Sequence, residues 1–286
     1  MDSTKSLQSG SIFEKYFLKA YYYASRFVLF VLISVRVFLY GLLHPEVIFN
    51  FLFGVVTEIA EFHKRCGGRV RNFNETKLYQ NIVAGIFLPK SNFFNVGFGN
   101  VRPAEAQVLA TLTAYLKPQK VFEIGTYNGF STLHFEENAP ADAIIYTLDL
   151  PEDKKAIALK NDLIEAHRDT KNINMNEWKY FYTGRGRERI VELFGDSMTF
   201  DFSPYHGKID LLFVDANHSY AYVKSDTHNA FRMLAPGGVI LWHDYDFIHP
   251  SVFRLINEIA REKEIFYIER TRFALFMDKD ARASGP

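Results

Sequence analysis

Apolar and polar positions divide this chain into two materials. From Phe17 to Ala60 it is dense in Phe, Leu, Val, Ile and Tyr. Phe27 to Val35 is apolar apart from Ser34, Arg36 interrupts, and Val37 to Leu43 resumes. After His44-Pro45-Glu46 a second run, Val47 to Val56, is broken only by Asn50. From Val101 onward the pattern changes to short apolar runs that alternate with amphipathic stretches. Arg102-Pro-Ala-Glu-Ala opens a helix over Ala104 to Leu116, with proline at its start and Pro118 beyond its end. Strands are predicted at Lys120 to Ile124, Ala143 to Asp149, Lys208 to Asp215 and Val239 to Asp244, with a strand or short helix from Ile190 toward Asp196. Tyr220 to Leu234 reads as helical, and Pro236-Gly237-Gly238 as a sharp turn. Ser251 to Lys263 carries Val252, Leu255, Ile256 and Ile259 on one face of a helix. Ile265 to Ile268 and Phe273 to Met277 form a predicted terminal antiparallel pair.

Strands that are nearly continuous in Val, Ile and Leu, and that alternate with helices, imply a mainly parallel sheet covered on both faces. Ligands of such sheets gather at the carboxyl ends of the strands, beside the point where strand order reverses. Glu123, Asp149, Asp215 and Asp244 each close an apolar strand. Four acids so placed point to a site rather than to structure alone.

The two materials suggest a helical N-terminal extension over residues 1–80 and an α/β domain over 81–286. A membrane span needs about 20 apolar residues. The first run reaches that length only by accepting Arg36 near its middle, at roughly 3 kcal/mol. No small-residue cleavage site follows, as a signal peptide would require. Lys15, Lys19 and Arg26 precede the run and favour a cytoplasmic start. A hairpin turning at Pro45 would attach residues 17–60 to the cytoplasmic face of a membrane. A soluble helical subdomain or arm would instead bury the same faces against the core or against a second copy, the latter making a homo-oligomer. Both readings stay open, and both leave the α/β domain cytoplasmic.

Composition narrows the partners. Across 286 residues Lys plus Arg and Asp plus Glu balance at 33 each, and 48% of positions are hydrophobic. No global charge drives nucleic-acid binding. The basic cluster Arg185, Arg187, Arg189 is short and holds Glu188, so it reads as a solvated loop. The single cysteine, Cys66, excludes an intrachain disulfide.

Val121 to Ser131 (Val-Phe-Glu-Ile-Gly-Thr-Tyr-Asn-Gly-Phe-Ser) carries the most chemistry. An apolar strand ends in Glu123 and Gly125, and Gly129 opens a helix. The dinucleotide fingerprint has a middle glycine where the pyrophosphate touches the backbone; here Tyr127 stands in its place. Glu123 would repel a diphosphate and suits a cationic ligand with an amino group. S-adenosylmethionine has a sulfonium, an α-amine and no phosphate.

The spacing Glu123-x-Gly125-x-Tyr127-x-Gly129-Phe130-Ser131 resembles the first motif of class I S-adenosylmethionine-dependent methyltransferases. It is closest to the catechol-type and bacterial small-molecule O-methyltransferases, and the resemblance covers roughly Val101 to Asp278. It implies a Rossmann-like, doubly wound sheet and O-methylation of a small-molecule acceptor. Glu123, Gly125, Thr126, Tyr127, Gly129 and Ser131 would meet the cofactor, with Ser131 joining backbone amides on the methionyl carboxylate. Asp149 is placed for the ribose diol, and Gly195-Asp196-Ser197 resembles the segment that holds the adenine. In catechol-type enzymes an acid at one strand end and a polar pair at the next hold a divalent cation, Mg2+ or similar. That pattern falls on Asp215, His243 and Asp244, with Asp215 also bordering the cofactor. The catalytic set is then Asp215, Asp244 and His218, which stands where the family's lysine base would be. His243 departs from the oxygen donors magnesium prefers. His218, titrating near neutral pH, suits proton removal from a hydroxyl. Two other readings are a nicotinamide-dependent reductase, which Tyr127 disfavours, and a scaffold that keeps the fold without turnover.

Overall fold

The computed structural model describes residues 70–84, 100–151 and 188–278, together with Ile59, Glu61, Lys64 and Pro89. The chain divides into two compact units, Met1–Ile59 and Ala60–Pro286. The apolar runs of the first unit, and with them the hairpin and arm readings, lie outside the described residues apart from Ile59. Among the described residues no helix is long and apolar enough to cross a membrane.

The second unit is built on an eight-stranded sheet. Its strands are β1 (Arg71–Asn72), β2 (Lys120–Ile124), β3 (Ile144–Asp149), β4 (Ile190–Phe194), β5 (Ile209–Val214), β6 (Leu234–Trp242), β7 (Ile265–Tyr267) and β8 (Ala274–Met277). The helices are α1 (Lys77–Ala84), α2 (Pro103–Leu116), α3 (Phe130–Asn138), α4 (Tyr220–Met233) and α5 (Pro250–Ile259). Strand order is β1-β7-β8-β6-β5-β2-β3-β4. β2, β3, β4, β5 and β6 pair in parallel, whereas β8 is antiparallel to both β6 and β7. This is the Rossmann-like, doubly wound architecture that the alternation of strands and helices implied. A dinucleotide-binding sheet carries a sixth parallel strand beyond the fifth; here antiparallel β8 holds that place.

The central strands show why the runs are almost unbroken. Along β5, Leu212 and Val214 enter one core layer while Leu211 and Phe213 enter the other. Along β6, Ile240 and Trp242 alternate in the same way with Val239 and Leu241. Both faces are covered, so period-two alternation is one of side and not of polarity. At about 25 cal/mol per Å2 of apolar surface, such fully buried side chains supply most of the drive to fold.

Two elements differ from the sequence reading. Pro236-Gly237-Gly238 lies inside β6 rather than before it, with Gly237 at φ 77° and a register shift between Ile209 and Leu211 on the partner strand. β1 escaped notice because two residues make no periodic pattern, yet it pairs in parallel with β7. The second unit thus takes in Arg71–Asn72, ahead of the boundary suggested by composition. α2 begins at Pro103 as expected and ends where Lys117 turns left-handed at φ 48°, one residue before Pro118.

Register brings the site together. Ile124 pairs with Val214, and Val214 with Trp242. The next residues, Gly125, Asp215 and His243, therefore form a row just past three adjacent strand ends. Backbone bonds continue the ladder through that row, with Asp215 N–H to Ile124 O at 2.9 Å and His243 N–H to Val214 O at 3.1 Å. Strand order reverses between β2 and β5, so the row sits at the switch point.

Candidate active site

The turn after β2 is shaped by its neighbours. Gly125 adopts φ 103°, and a Cβ there would meet the Asp215 carbonyl oxygen at 2.1 Å. Glycine is required by both the angle and the contact. Tyr127 is left-handed at φ 51°, and its N–H donates to Asp149 Oδ2 at 2.8 Å. Asp149 Oδ1 accepts from Leu150 N–H at 2.7 Å, so this acid ties the β2 and β3 ends together. Gly129, at φ 78°, caps α3.

Glu123 does not face outward. It is fully buried, and its carboxyl accepts from Ser131 Oγ at 2.5 Å, from Thr147 Oγ1 at 2.6 Å and from Thr132 Oγ1. Burial raises its pKa to about 7 against the opposing pull of those hydroxyls. Thr126 is likewise buried, its hydroxyl 2.5 Å from that of Thr147. In this arrangement Glu123 bonds Ser131 while Thr126 bonds Thr147. Their work is to hold the turn, because a side chain just before a strand's last residue points into the core layer beneath α3.

On the far side of β3, Asp196 Oδ1 accepts from Met198 N–H at 2.9 Å and Oδ2 from Tyr222 OH at 3.1 Å. Ser197 is buried beside it. Behind them Asp226 of α4, which sequence reasoning passed over, is buried and has its pKa pushed up to about 7 by burial, with the Asp196 charge adding to the rise. Arg189 is no solvated loop residue. Its guanidinium bonds Glu136 Oε1 at 2.6 Å and the carbonyls of Glu136 and Pro140, fastening the end of α3. Arg185 and Arg187 lie outside the described residues.

Asp215, His218, His243 and Asp244 do converge. His243 Nδ1 lies 3.2 Å from Asp215 Oδ1 and 3.4 Å from Asp244 Oδ2. His218 Nε2 lies 2.7 Å from Asp244 Oδ2 and 3.9 Å from Asp215 Oδ1. Asp244 holds φ 57°, a left-handed turn that aims its carboxyl back across the strand end. A small cleft here is lined by Val214, Asp215, Asn217, His218, Trp242 and His243.

Three further residues complete the cluster. Arg272, in the β7–β8 turn, donates from Nη1 to Asp244 Oδ1 at 2.7 Å and from Nη2 to Glu105 Oε2 at 3.0 Å. Glu105, in the first turn of α2, meets His243 Nε2 at 3.2 Å. His249 Nδ1 lies 3.0 Å from Asp246 Oδ1 and 3.4 Å from Asp244 Oδ1, with its ring 4.8 Å from that of His218. The only trace of Glu105 in the sequence is that it is the one charged residue in the fourteen of α2. Arg272 left none.

The electrostatics follow from this crowding. Burial disfavours every charge, yet His243 and Arg272 hold the Glu105 carboxyl far below the usual range. Asp244 is held well below its range by His243, Arg272 and His218, and Asp215 is lowered by His243 and His218. In return Asp215 and Asp244 lift His243 well above its ordinary value. Burial opposes the His218 imidazolium, but Asp244 and Asp215 outweigh it and raise the ring to about 10. The expectation that His218 titrates near neutral pH is therefore corrected. Two carboxylates face it where the sequence showed only a loop position.

Ligand atoms of Asp215, His243 and Asp244, one from each, lie within 4.8 Å of one another, as do atoms of His218, Asp244 and His249. The first trio is the set the sequence singled out for a cation. Its donors fit one: two carboxylates and an imidazole nitrogen converge from two neighbouring strand ends.

Residues 122–245 match a family described as a methyltransferase domain. No curated protein matches the chain. Among solved structures it is similar to an O-methyltransferase of tomaymycin synthesis from Streptomyces achromogenes, in complex with SAM. Identity is 16% over 70% of this chain and 96% of that one, with a TM-score of 0.43. It is also similar to a methyltransferase from Podospora anserina bound to SAH, at 17% identity over 65% and 82% of the two chains and a TM-score of 0.45. A third is an O-methyltransferase from Bacillus cereus in complex with SAH, at 19% identity, 70% and 86% coverage and a TM-score of 0.40. The family match spans β2 to the end of β6 and excludes the reductase reading. With the switch-point row and antiparallel β8 in place on a Rossmann-like sheet, residues 122–245 form a methyltransferase domain.

Proposed function

We propose that this enzyme methylates a hydroxyl of a small molecule, with His218 taking the proton and Asp215, His243 and Asp244 holding a divalent cation. The observation that carries the reading is the meeting of two histidines and two acids just past β5 and β6, across the switch point from the cofactor turn. Methyl transfer from a sulfonium needs the acceptor oxygen aligned with the methyl carbon and relieved of its proton. His218 supports the second requirement: its ring is about a third exposed, at 36%, while Nε2 points to the Asp244 carboxylate. Asp215, one residue past β5, borders both the Gly125 turn and His243, and so supports the first. A divalent cation bound there would lower the pKa of the acceptor hydroxyl and offset the two carboxylates that keep His218 charged. On the cofactor side, Asp149 and Asp196 remain our choices for ribose and adenine. Each keeps acceptor capacity beyond the bonds it makes in the turn.

The test is transfer of a labelled methyl group from S-adenosylmethionine to a panel of phenols, sugars and other alcohols, with matched amines, before and after exhaustive chelation. Labelling confined to hydroxyl acceptors and reduced by chelation is the expected result. Labelling of amines alone would overturn the acceptor class, and full activity after chelation would remove the cation.

A further inference from the structure

We infer that Glu105 is a positioning residue that fixes the orientation of protons on His243, so that Nδ1 presents a lone pair toward Asp215 and Asp244. The inference rests on the cation reading given above. Without a cation both ring nitrogens of His243 face carboxylates and can donate; a histidine that binds a cation keeps one N–H, and the ring nitrogen without it is the ligand. His243 is buried, with Asp215 and Asp244 on the Nδ1 side and Glu105 on the Nε2 side. The two inner acids both draw the proton to Nδ1, which would turn that atom into a donor and spoil it as a ligand. Glu105 opposes them from across the ring, 3.2 Å from Nε2.

Glu105 is equipped to accept. Its Oε1 receives the Arg272 backbone N–H at 2.9 Å and Nε–H at 3.1 Å. Its Oε2 receives Arg102 N–H at 2.7 Å and Arg272 Nη2 at 3.0 Å. Four donors converging on one buried carboxyl mark it as ionised, and an ionised carboxylate can only accept. Arg272 also grips Asp244 Oδ1, so one guanidinium sets the outer acid and an inner acid in fixed relation. Metal-binding histidines commonly give their second N–H to such a carboxylate, and loss of that partner costs 10–100-fold in affinity. Here the partner comes from α2, 138 residues away in the chain.

Glu105→Gln in the full chain tests this. The amide oxygen stays with Arg272, the amide NH2 turns to His243 Nε2, and the proton moves to Nδ1. Zn2+ is the probe, titrated by calorimetry, with S-adenosylmethionine affinity and thermal melting measured in parallel. The expected result is Zn2+ affinity lower by about 10–100-fold with cofactor affinity unchanged and a melting transition that is lower but still cooperative. Equal Zn2+ affinity in wild type and variant overturns the role of Glu105 while leaving the cation reading intact. No Zn2+ binding by wild type overturns both. Should the variant unfold, 15N NMR of histidine-labelled wild type loaded with Zn2+ decides alone. Hydrogen on Nε2 of His243 supports the inference, and hydrogen on Nδ1 overturns it.

Discussion

The two halves of the site use the same residue types to opposite ends. In the turn after β2, Glu123 is surrounded by hydroxyls that can only share hydrogen bonds, and burial lifts its pKa to about 7. Around the ends of β5 and β6, Glu105 and Asp244 are buried and Asp215 is partly so, yet each is shifted down because Arg272 and two histidines bring positive charge. Burial is common to both regions, and the partners decide the sign. The turn is a closed arrangement that shapes a backbone. The cluster is a stock of buried charge that reaches the surface through His218, 36% exposed.

Breaking the cluster should cost most. Arg272→Gln leaves Glu105 and Asp244 facing each other without their shared cation, and we expect about 3–5 kcal/mol of lost stability by denaturant unfolding. Gly125→Ala attacks the seam between the regions. Its Cβ would strike the Asp215 carbonyl, and φ 103° strains any other residue, so a loss on the order of 3 kcal/mol is expected. Cofactor affinity should fall with it, because the same shift moves the turn.

Glu123→Gln sharpens the contrast from the quiet side. A carboxyl whose pKa rises from 4.5 to about 7 on folding favours the native state when protonated. Its contribution is complete below about pH 4.5 and is lost as pH climbs through 7. The stability of wild type relative to the variant should therefore fall across that window, by on the order of 3 kcal/mol at 1.36 kcal/mol per pKa unit. A flat difference between pH 4.5 and 8 would show that Glu123 stays ionised in the fold.

What the sequence disclosed follows from this same contrast. Val121 to Ile124, Ile209 to Val214 and Val239 to Trp242 were legible as strands because both faces of the sheet are covered and all positions but Glu123 and Asp210 are apolar. The acids closing them were legible because a charge ending such a run has no place in the core. His218, His243 and Asp244 were found from local spacing and do meet in space. Glu105 and Arg272 were not legible, since Glu105 reaches His243 across 138 residues and Arg272 across 167. The inward hydrogen bonds of Glu123 were not legible for a related reason. Its three hydroxyl partners belong to α3 and β3, and only the packing of those elements shows that the carboxyl faces inward.

The central claim is that proton removal for methyl transfer occurs at the cluster, apart from cofactor binding at the turn. Single-turnover methyl transfer by wild type and His218→Gln, with S-adenosylmethionine affinity measured on both, tests it most directly. The account predicts a rate lower by about 10²–10⁴-fold with cofactor affinity unchanged. A rate within a few-fold of wild type, or a loss of rate matched by an equal loss of cofactor affinity, would contradict it.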